Sequence, residues 1–261
     1  MTDKPAASRF DTRHSTLGIL QLGYGTYAAL VLAACILLTL PFVLLMPTLA
    51  LRRACGRCGT RLALMLCFVP VRIRGLEHLP EGPCMVVSNH ASYLDGPLMT
   101  AALPSRFTFV VQHGAASWPV FGRIIRGMGV TFVNRGEART GASQTRGLIR
   151  RLQNGESLTV FPEGTFKGER GLLPFRKGAF LMAVHAGVPV VPAAIRGTRR
   201  VFGDGHWLLR WGRIEVEVFA PLAPAGDHRH AIEQLRDEAR RVILEHCGEP
   251  DRGGAAQDAD D

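Results

Sequence analysis

Lysine is nearly missing from this chain: it occurs only at Lys4, Lys167 and Lys177, so arginine carries almost all of the 31 basic charges. Aromatic residues are scarce as well. Three Trp and three Tyr in 261 residues are too few to interleave with the arginines as a stacking platform, so nucleic acid is not expected as a partner. There is no internal repeat and no long low-complexity tract, which excludes collagen, coiled-coil and wholly disordered classes. The cysteines Cys35, Cys55, Cys58, Cys67, Cys84 and Cys247 lack the density of a secreted disulfide scaffold, and a reducing, cytosol-facing domain is expected. Cys55 and Cys58 form a solitary CxxC with no second pair and no histidines at finger spacing, so no metal is expected. A glycine-rich nucleotide loop is also missing. What is present is a 47% hydrophobic chain of net charge +9, enough for one sizeable α/β domain that seeks an anionic partner.

Charge itself is missing from residues 17–51, and residues 27–46 are almost wholly apolar, the length of one bilayer-crossing helix. Arg52, Arg53, Arg57 and Arg61 follow the run where a signal peptide would carry a cleavage site of small residues. As one helix the uncharged stretch would be ~50 Å long against a hydrocarbon core of ~30 Å, so it must tilt, kink or turn back. Pro41 and Pro47 are the kink points, and a single span is preferred here over a helical hairpin. The arginines after the run place the body on the cytoplasmic side of an inner (cytoplasmic) membrane, beside an anionic membrane surface. The expected organisation is a polar N-terminus (1–16), a membrane anchor (17–51), a basic juxtamembrane and interfacial segment (52–74, with 62–71 lying on the membrane), a catalytic-type domain (75–247) and a disordered tail (248–261).

Within residues 75–247 the pattern is α/β. Runs rich in β-branched residues at 85–88, 107–111, 130–134, 157–161, 188–195 and 214–219 read as strands. Helical spacing appears at 120–128, 141–153, 179–186 and 231–247, the last with Ile232, Leu235, Ala239, Val242 and Ile243 on one face. Such alternation predicts a mostly parallel sheet sandwiched between helices.

Chemistry-bearing residues follow the strands. Val86-Val87-Ser88 runs into Asn89-His90, with Asp95 five residues beyond the histidine. On a regular helix that spacing leaves two side chains about 140° apart, so His90 and Asp95 meet only across a strand-to-helix turn. There Asp95 accepts from one imidazole nitrogen and leaves the other as a general base. Taken alone the pattern also fits Asn89 as a cap beside an inert, half-buried histidine. Residues 129–135 deliver Arg135 at a strand end, residues 161–165 (FPEGT) deliver Glu163, and residues 188–192 (VPVVP) form a proline-bounded strand.

Those four blocks, in that order, resemble the glycerolipid acyltransferases typified by lysophosphatidic acid (1-acylglycerol-3-phosphate) acyltransferase, from about residue 76 to residue 220. The resemblance implies direct transfer from an acyl thioester, acyl-CoA or an acyl carrier protein, to the hydroxyl of a lyso-lipid acceptor, without cofactor or metal. It implies His90 as the base, Asp95 as its orienting partner, and Asn89, Arg135, Glu163, Gly164 and Thr165 as substrate-binding residues, with Glu163 alternatively holding Arg135 or backbone amides. No nucleophilic serine is implied; Ser92 reads as a helix cap. Two departures stand out, Phe166 where many members carry arginine and Gln112 where they carry lysine; Lys167, Arg176 and Lys177 are the nearby cations. Another lyso-lipid, such as a lyso-ornithine lipid, is the alternative acceptor, and thioester hydrolysis or a non-catalytic lipid-binding role the alternative functions.

Overall fold

The computed structural model describes residues 12–112, 120–133, 138–203, 205, 207–225 and 228–253. Seven strands, β1 (Val71–Arg74), β2 (Met85–Ser88), β3 (Phe107–Gln112), β4 (Thr131–Val133), β5 (Ser157–Val160), β6 (Val190–Arg196) and β7 (Ile214–Val218), form one sheet in the order β1-β7-β6-β2-β5-β3-β4. Every neighbouring pair is parallel except β6 and β7. β2 is central, with Val86 paired to Thr159 on one side and Val191 on the other. This is the sandwiched, mostly parallel α/β sheet expected from the alternation of elements.

Both faces of the sheet are buried, because the period of two sends alternate side chains into separate cores. Val86, Val191, Ala193 and Ile195 enter one core. It is completed by helices α1 (Thr12–Leu45), α2 (Leu49–Leu66), α3 (Asp95–Ala102) and α4 (Phe121–Gly127). Met85, Val87, Val190 and Ala194 enter the other. There they meet α5 (Ala138–Gln153), α6 (Gly178–Ala186) and α8 (His228–Cys247). On α8 the buried Ala231, Leu235, Ala239, Ile243 and Cys247 recur every four residues, one stripe of a helix. Its outer face carries Arg241 between Glu238 and Glu245. A short helix α7 (Thr198–Phe202) follows β6.

Residues 18–45 lie on one continuous helix, long and apolar enough to cross a bilayer. The chain breaks at residues 46–48 and turns back, with the Thr48 hydroxyl capping α2 by accepting from Leu51 N. Helices α1 and α2 form a hairpin in which Tyr24 and Tyr27 donate to the backbone of Cys67 and Leu66, and Val43 lies against Gly127 of α4. One side of α1 is therefore held against the body along some 20 residues, roughly 30 Å of helix. The remaining side exposes Leu20, Leu30, Leu37, Phe42 and Leu45.

Residues 62–71 divide between two elements and expose Leu62, Met65, Leu66 and Phe68. They end α2 and enter the edge strand β1, where the alternation Val71, Arg72, Ile73, Arg74 turns the apolar pair inward. Three arginines of residues 52–61 bond to the body. Arg53, 7% exposed, donates to the carbonyls of Met128 and Arg106 and pairs with Glu156 at 3.2 Å. Arg57 and Arg61 donate to the carbonyl of Ala101.

The start of the tail is ordered where disorder is expected from its composition. Residues 248–253 are docked: Leu172 and Asp251 form a parallel bridge, with Leu172 N donating to Pro250 O and Arg252 N to Leu172 O. Composition there offers little apolar surface, but backbone pairing and ion pairs do the holding. The rest of the tail lies outside the described residues.

Arg53 makes the basic helix part of the fold. Arg53→Met should cost about 2–4 kcal/mol of unfolding free energy, because two buried carbonyls lose their donor while Glu156 keeps Arg151. Denaturant unfolding in detergent measures this, and a loss below about 0.5 kcal/mol would mean that α2 docks through apolar contacts alone.

Candidate active site

The site lies beyond the carboxyl ends of the central strands, where parallel sheets leave a crevice. β2 ends at the fully buried Ser88. Asn89 then prolongs it: its amide nitrogen donates to Ile195 O at 3.0 Å and its oxygen accepts from Ile195 N at 2.7 Å. Both the amide nitrogen and the oxygen of Asn89 are engaged with the neighbouring strand and it is 2% exposed, so it frames the site.

His90 stands at the lip. Residues 91–94 turn the chain into α3, which brings Asp95 Oδ2 to 2.9 Å from His90 Nδ1. The same oxygen accepts from Ala91 N at 2.6 Å and Ser92 N at 2.8 Å. A carboxylate oxygen surrounded in this way needs Nδ1 to donate, which fixes the tautomer and leaves the Nε2 lone pair as the basic one. Asp95 is fully buried, whereas the His90 side chain is 20% exposed. Ser92 is structural, its hydroxyl donating to Phe202 O and accepting from Leu94 N.

Glu163 approaches from β5 through the turn after Pro162. Its Oε1 accepts from His90 N at 2.6 Å and its Oε2 from Leu173 N at 2.8 Å. The carboxylate thus ties the histidine's backbone to a loop ten residues on, the backbone-holding role left open from sequence. Burial, 4% exposed, pushes this carboxyl up to about 7 against those two N–H bonds, and the charge of Asp95 adds to the rise. Gly164 takes φ +80°, a left-handed turn that favours glycine. Thr165 is exposed, its hydroxyl 3.4 Å from Phe166 O.

Two aromatic rings, neither assigned a role from sequence, wall the imidazole. Phe161 stacks on it at 4.4 Å and Phe166 meets it edge-on at 4.6 Å. Phe161 sits inside the FPEGT block and Phe166 was visible only as a departure from the resemblance. Nothing local in the sequence told that both rings face His90. Arg135 lies outside the described residues, as does the Gln112 side chain. Lys177 pairs with Glu233 on α8, and Arg176 N donates to Pro162 O.

This geometry agrees with what the chain is similar to. A family model described as acyltransferase matches residues 70–196. The chloroplastic 1-acyl-sn-glycerol-3-phosphate acyltransferase of Brassica napus is 34% identical over 181 residues, 68% of this chain and 51% of that one. The alpha form of the same enzyme from Bos taurus is 31% identical over 188 residues, 67% of this chain and 62% of that one.

The chain is similar to the 1-acylglycerol-3-phosphate acyltransferases.

It spans about half the length of the Brassica relative. The lyso-ornithine lipid O-acyltransferase of Pseudomonas aeruginosa is 29% identical over 199 residues, 70% of this chain and 76% of that one. The crystal structure of the 1-acyl-sn-glycerophosphate acyltransferase of Thermotoga maritima shares the fold, with TM-score 0.69 and 24% identity, over 86% of this chain and 97% of that one. The family match encloses His90, Asp95 and Glu163, so the hydrogen-bonded cluster lies within the part of the chain that carries the acyltransferase likeness.

Glu163 supplies a test of the site that needs no substrate. Its folded-state value lies above the ordinary carboxyl value of 4.5, so between about 4.5 and 7 the folded protein holds a proton that the unfolded chain releases. That contribution to stability falls as pH rises through this window and is gone above it. Compared with Glu163→Gln, which does not titrate, the wild type should lose stability on going from pH 5 to pH 8. Denaturation midpoints of the two proteins at both pH values check this, and a constant difference would place an ordinary carboxylate at Glu163.

Proposed function

We propose that this chain transfers an acyl group from an acyl thioester to the free hydroxyl of lysophosphatidic acid, giving phosphatidic acid in phospholipid biosynthesis. The observation that carries the reading is the His90–Asp95 pair at the end of the central strand, with Nδ1 engaged and Nε2 left for the acceptor. An alcohol needs a base to attack, while a thioester is already activated, so the histidine supplies what the substrates lack. Nε2 takes the hydroxyl proton as the oxygen bonds to the carbonyl carbon. The carbon–sulfur bond then breaks, and the proton passes from the imidazolium to the departing thiolate. Asp95, fixed in place by its backbone donors, stabilises the imidazolium in between. No cofactor or metal enters these steps.

The donor is acyl-CoA or an acyl-acyl carrier protein. Arg135 is assigned to the acceptor phosphate, for which a guanidinium offers paired hydrogen bonds. Phe161 and Phe166 keep an apolar wall around the ring, which disfavours water as the competing nucleophile. The aromatic ring of Phe166 beside His90 leaves no charge at that point for a phosphate. An acceptor other than a phosphomonoester is therefore the outcome to test against.

Membrane association rests on the exposed side of α1, the one helix among the described residues long and apolar enough to cross a bilayer. Beside it are the exposed Phe68, Trp207 and Trp211, with Trp211 Nε1 donating to Phe68 O. Such rings belong at the headgroup level. In the proposed arrangement the α1–α2 hairpin lies in the cytoplasmic leaflet of the inner membrane, beside anionic headgroups, and the body faces the cytoplasm.

Transfer to a panel of lyso-lipids, with products identified by mass spectrometry, tests the function. Lysophosphatidic acid should be the preferred acceptor; preference for a lyso-ornithine lipid would overturn that assignment, and thioester loss without lipid product would establish hydrolysis. His90→Ala should lower turnover ~10²-fold or more while circular dichroism stays unchanged. More than about a tenth of wild-type turnover remaining would remove His90 from the role of base. Arg135→Ala should chiefly raise the acceptor KM, by the factor expected for a lost charged hydrogen bond of roughly 1.5–3 kcal/mol.

A further inference from the structure

Residues 248–253 do more than cover surface, because what they hold is the loop that completes the site. Glu249 is the centre of that contact. Its Oε1 accepts from Arg199 Nε at 2.9 Å and its Oε2 from Gly171 N at 2.8 Å. Only 12% of its side chain and 15% of that of Arg199 are exposed. Arg199 reaches further, its Nη1 donating to the carbonyls of Lys167 at 2.6 Å and Gly168 at 3.2 Å. The strap then pairs its backbone with Leu172 through Pro250 O and Arg252 N. At its far end Asp251 is held by Arg240, which also donates to Leu172 O, and Arg252 pairs with Glu169 at 2.6 Å. Gly171, at φ +137°, passes so close that an added Cβ would lie 2.3 Å from the Arg252 side chain.

The segment gripped at Lys167, Gly168, Gly171 and Leu172 joins two contacts to His90. Upstream is Phe166, the ring edge-on to the imidazole. Downstream is Leu173, whose N–H is the second donor to Glu163, the carboxylate that also holds His90 N. A continuous chain of hydrogen bonds runs from Glu249 through residues 171–173 and Glu163 to the backbone of the histidine. Arg199 lies on α7, whose last residue, Phe202, accepts the hydroxyl proton of Ser92 in the His90 turn.

We propose that Glu249 and Arg199 are positioning residues for the acyl-transfer reaction: their ion pair latches the C-terminal strap onto residues 167–173, and that loop holds His90 and its Phe166 wall in the reactive arrangement. The inference rests on the reading of His90 as the base, and it assigns work to a segment whose composition resembles a solvated tail. Neither residue touches substrate. Releasing the latch lets the loop move, which uncovers Nε2 to water and loosens the imidazole before any unfolding of the sheet, since the strap pairs with the loop and α8 and not with a central strand.

The test uses the full chain in detergent micelles containing lyso-lipid acceptor. Glu249→Ala removes the latch. Arg199→Lys keeps the charge but lacks the guanidinium that reaches Glu249 and two carbonyls at once. Arg241→Ala, on the exposed face of α8, is the control. Each protein is assayed for kcat and for donor KM. His90 is also modified with diethyl pyrocarbonate and the rate read by mass spectrometry, which needs no turnover. Both latch variants should lose about tenfold in kcat, the scale of one charge-assisted hydrogen bond, with donor KM little changed and His90 modified several times faster. The control should behave as wild type. An unchanged modification rate, a kcat within about twofold of wild type, or a loss of activity that only tracks the unfolded fraction in both variants overturns the latch. Failure of the proposed function is separately recognisable, because wild-type protein would then transfer no acyl group while the modification rates still report on the loop.

Discussion

A carboxyl group sealed from water has to find donors, and Asp95 finds them through one oxygen, Oδ2, which imposes a conformation on the whole strand-to-helix turn. One oxygen gathers His90 Nδ1, Ala91 N and Ser92 N, so the turn closes only in the conformation that points all three inward. The folding requirement and the chemical requirement coincide. Satisfying a buried charge costs far less than leaving it unpaired, and the arrangement that satisfies it also sets the imidazole tautomer. Asp95 begins α3, where a negative charge is favoured by the aligned peptide dipoles.

Around that turn, each residue next to the histidine is committed to backbone. Asn89 pairs with β6, Ser92 with the end of α7, and Glu163 with His90 N and Leu173 N. These are side chains acting as substitutes for ladder hydrogen bonds where the sheet has ended. They bring β2, β5, β6 and α7 to one point, which is how a single histidine at a strand end is made rigid. The cost is a carboxyl at Glu163 held at about 7 by burial, a strained protonation balance beside the candidate base.

The N-terminal hairpin follows a different logic. Its α2 carries arginines that are consumed inside the protein, Arg53 on Met128, Arg106 and Glu156, Arg61 on Ala101. These contacts anchor the helix pair to the body, so the exposed apolar side of α1 has a fixed position relative to His90. The height of the site above that apolar surface is thus set by the fold and not by a flexible tether.

The order of strands and helices in residues 75–247, the alternation that buries both faces of the sheet, and the pairing of His90 with Asp95 were legible in the sequence, because each depends on spacing along a few neighbouring residues. Strand β1 was not, since four residues of alternating Val, Arg, Ile and Arg carry too short a period to stand out beside an apolar run. The packing of α2 back along α1 was not either: hydropathy measures how apolar α1 is and says nothing of which helix lies against it. Asn89 and Glu163 were placed on the right strand ends, and Glu163 was left between substrate and backbone amides; the tertiary structure pairs both with backbone partners 106 and 73 residues away. The tail from Gly248 was read from its polar composition, and the loop that it pairs with lies 78 residues earlier. The sequence alone therefore determined the fold class and the His90–Asp95 pair, since these arise from local periodicity and a five-residue spacing. Only the tertiary structure decided which polar groups remain free for chemistry, because a hydrogen bond is assigned by distance in space and a side chain's partners need not be near it in the chain.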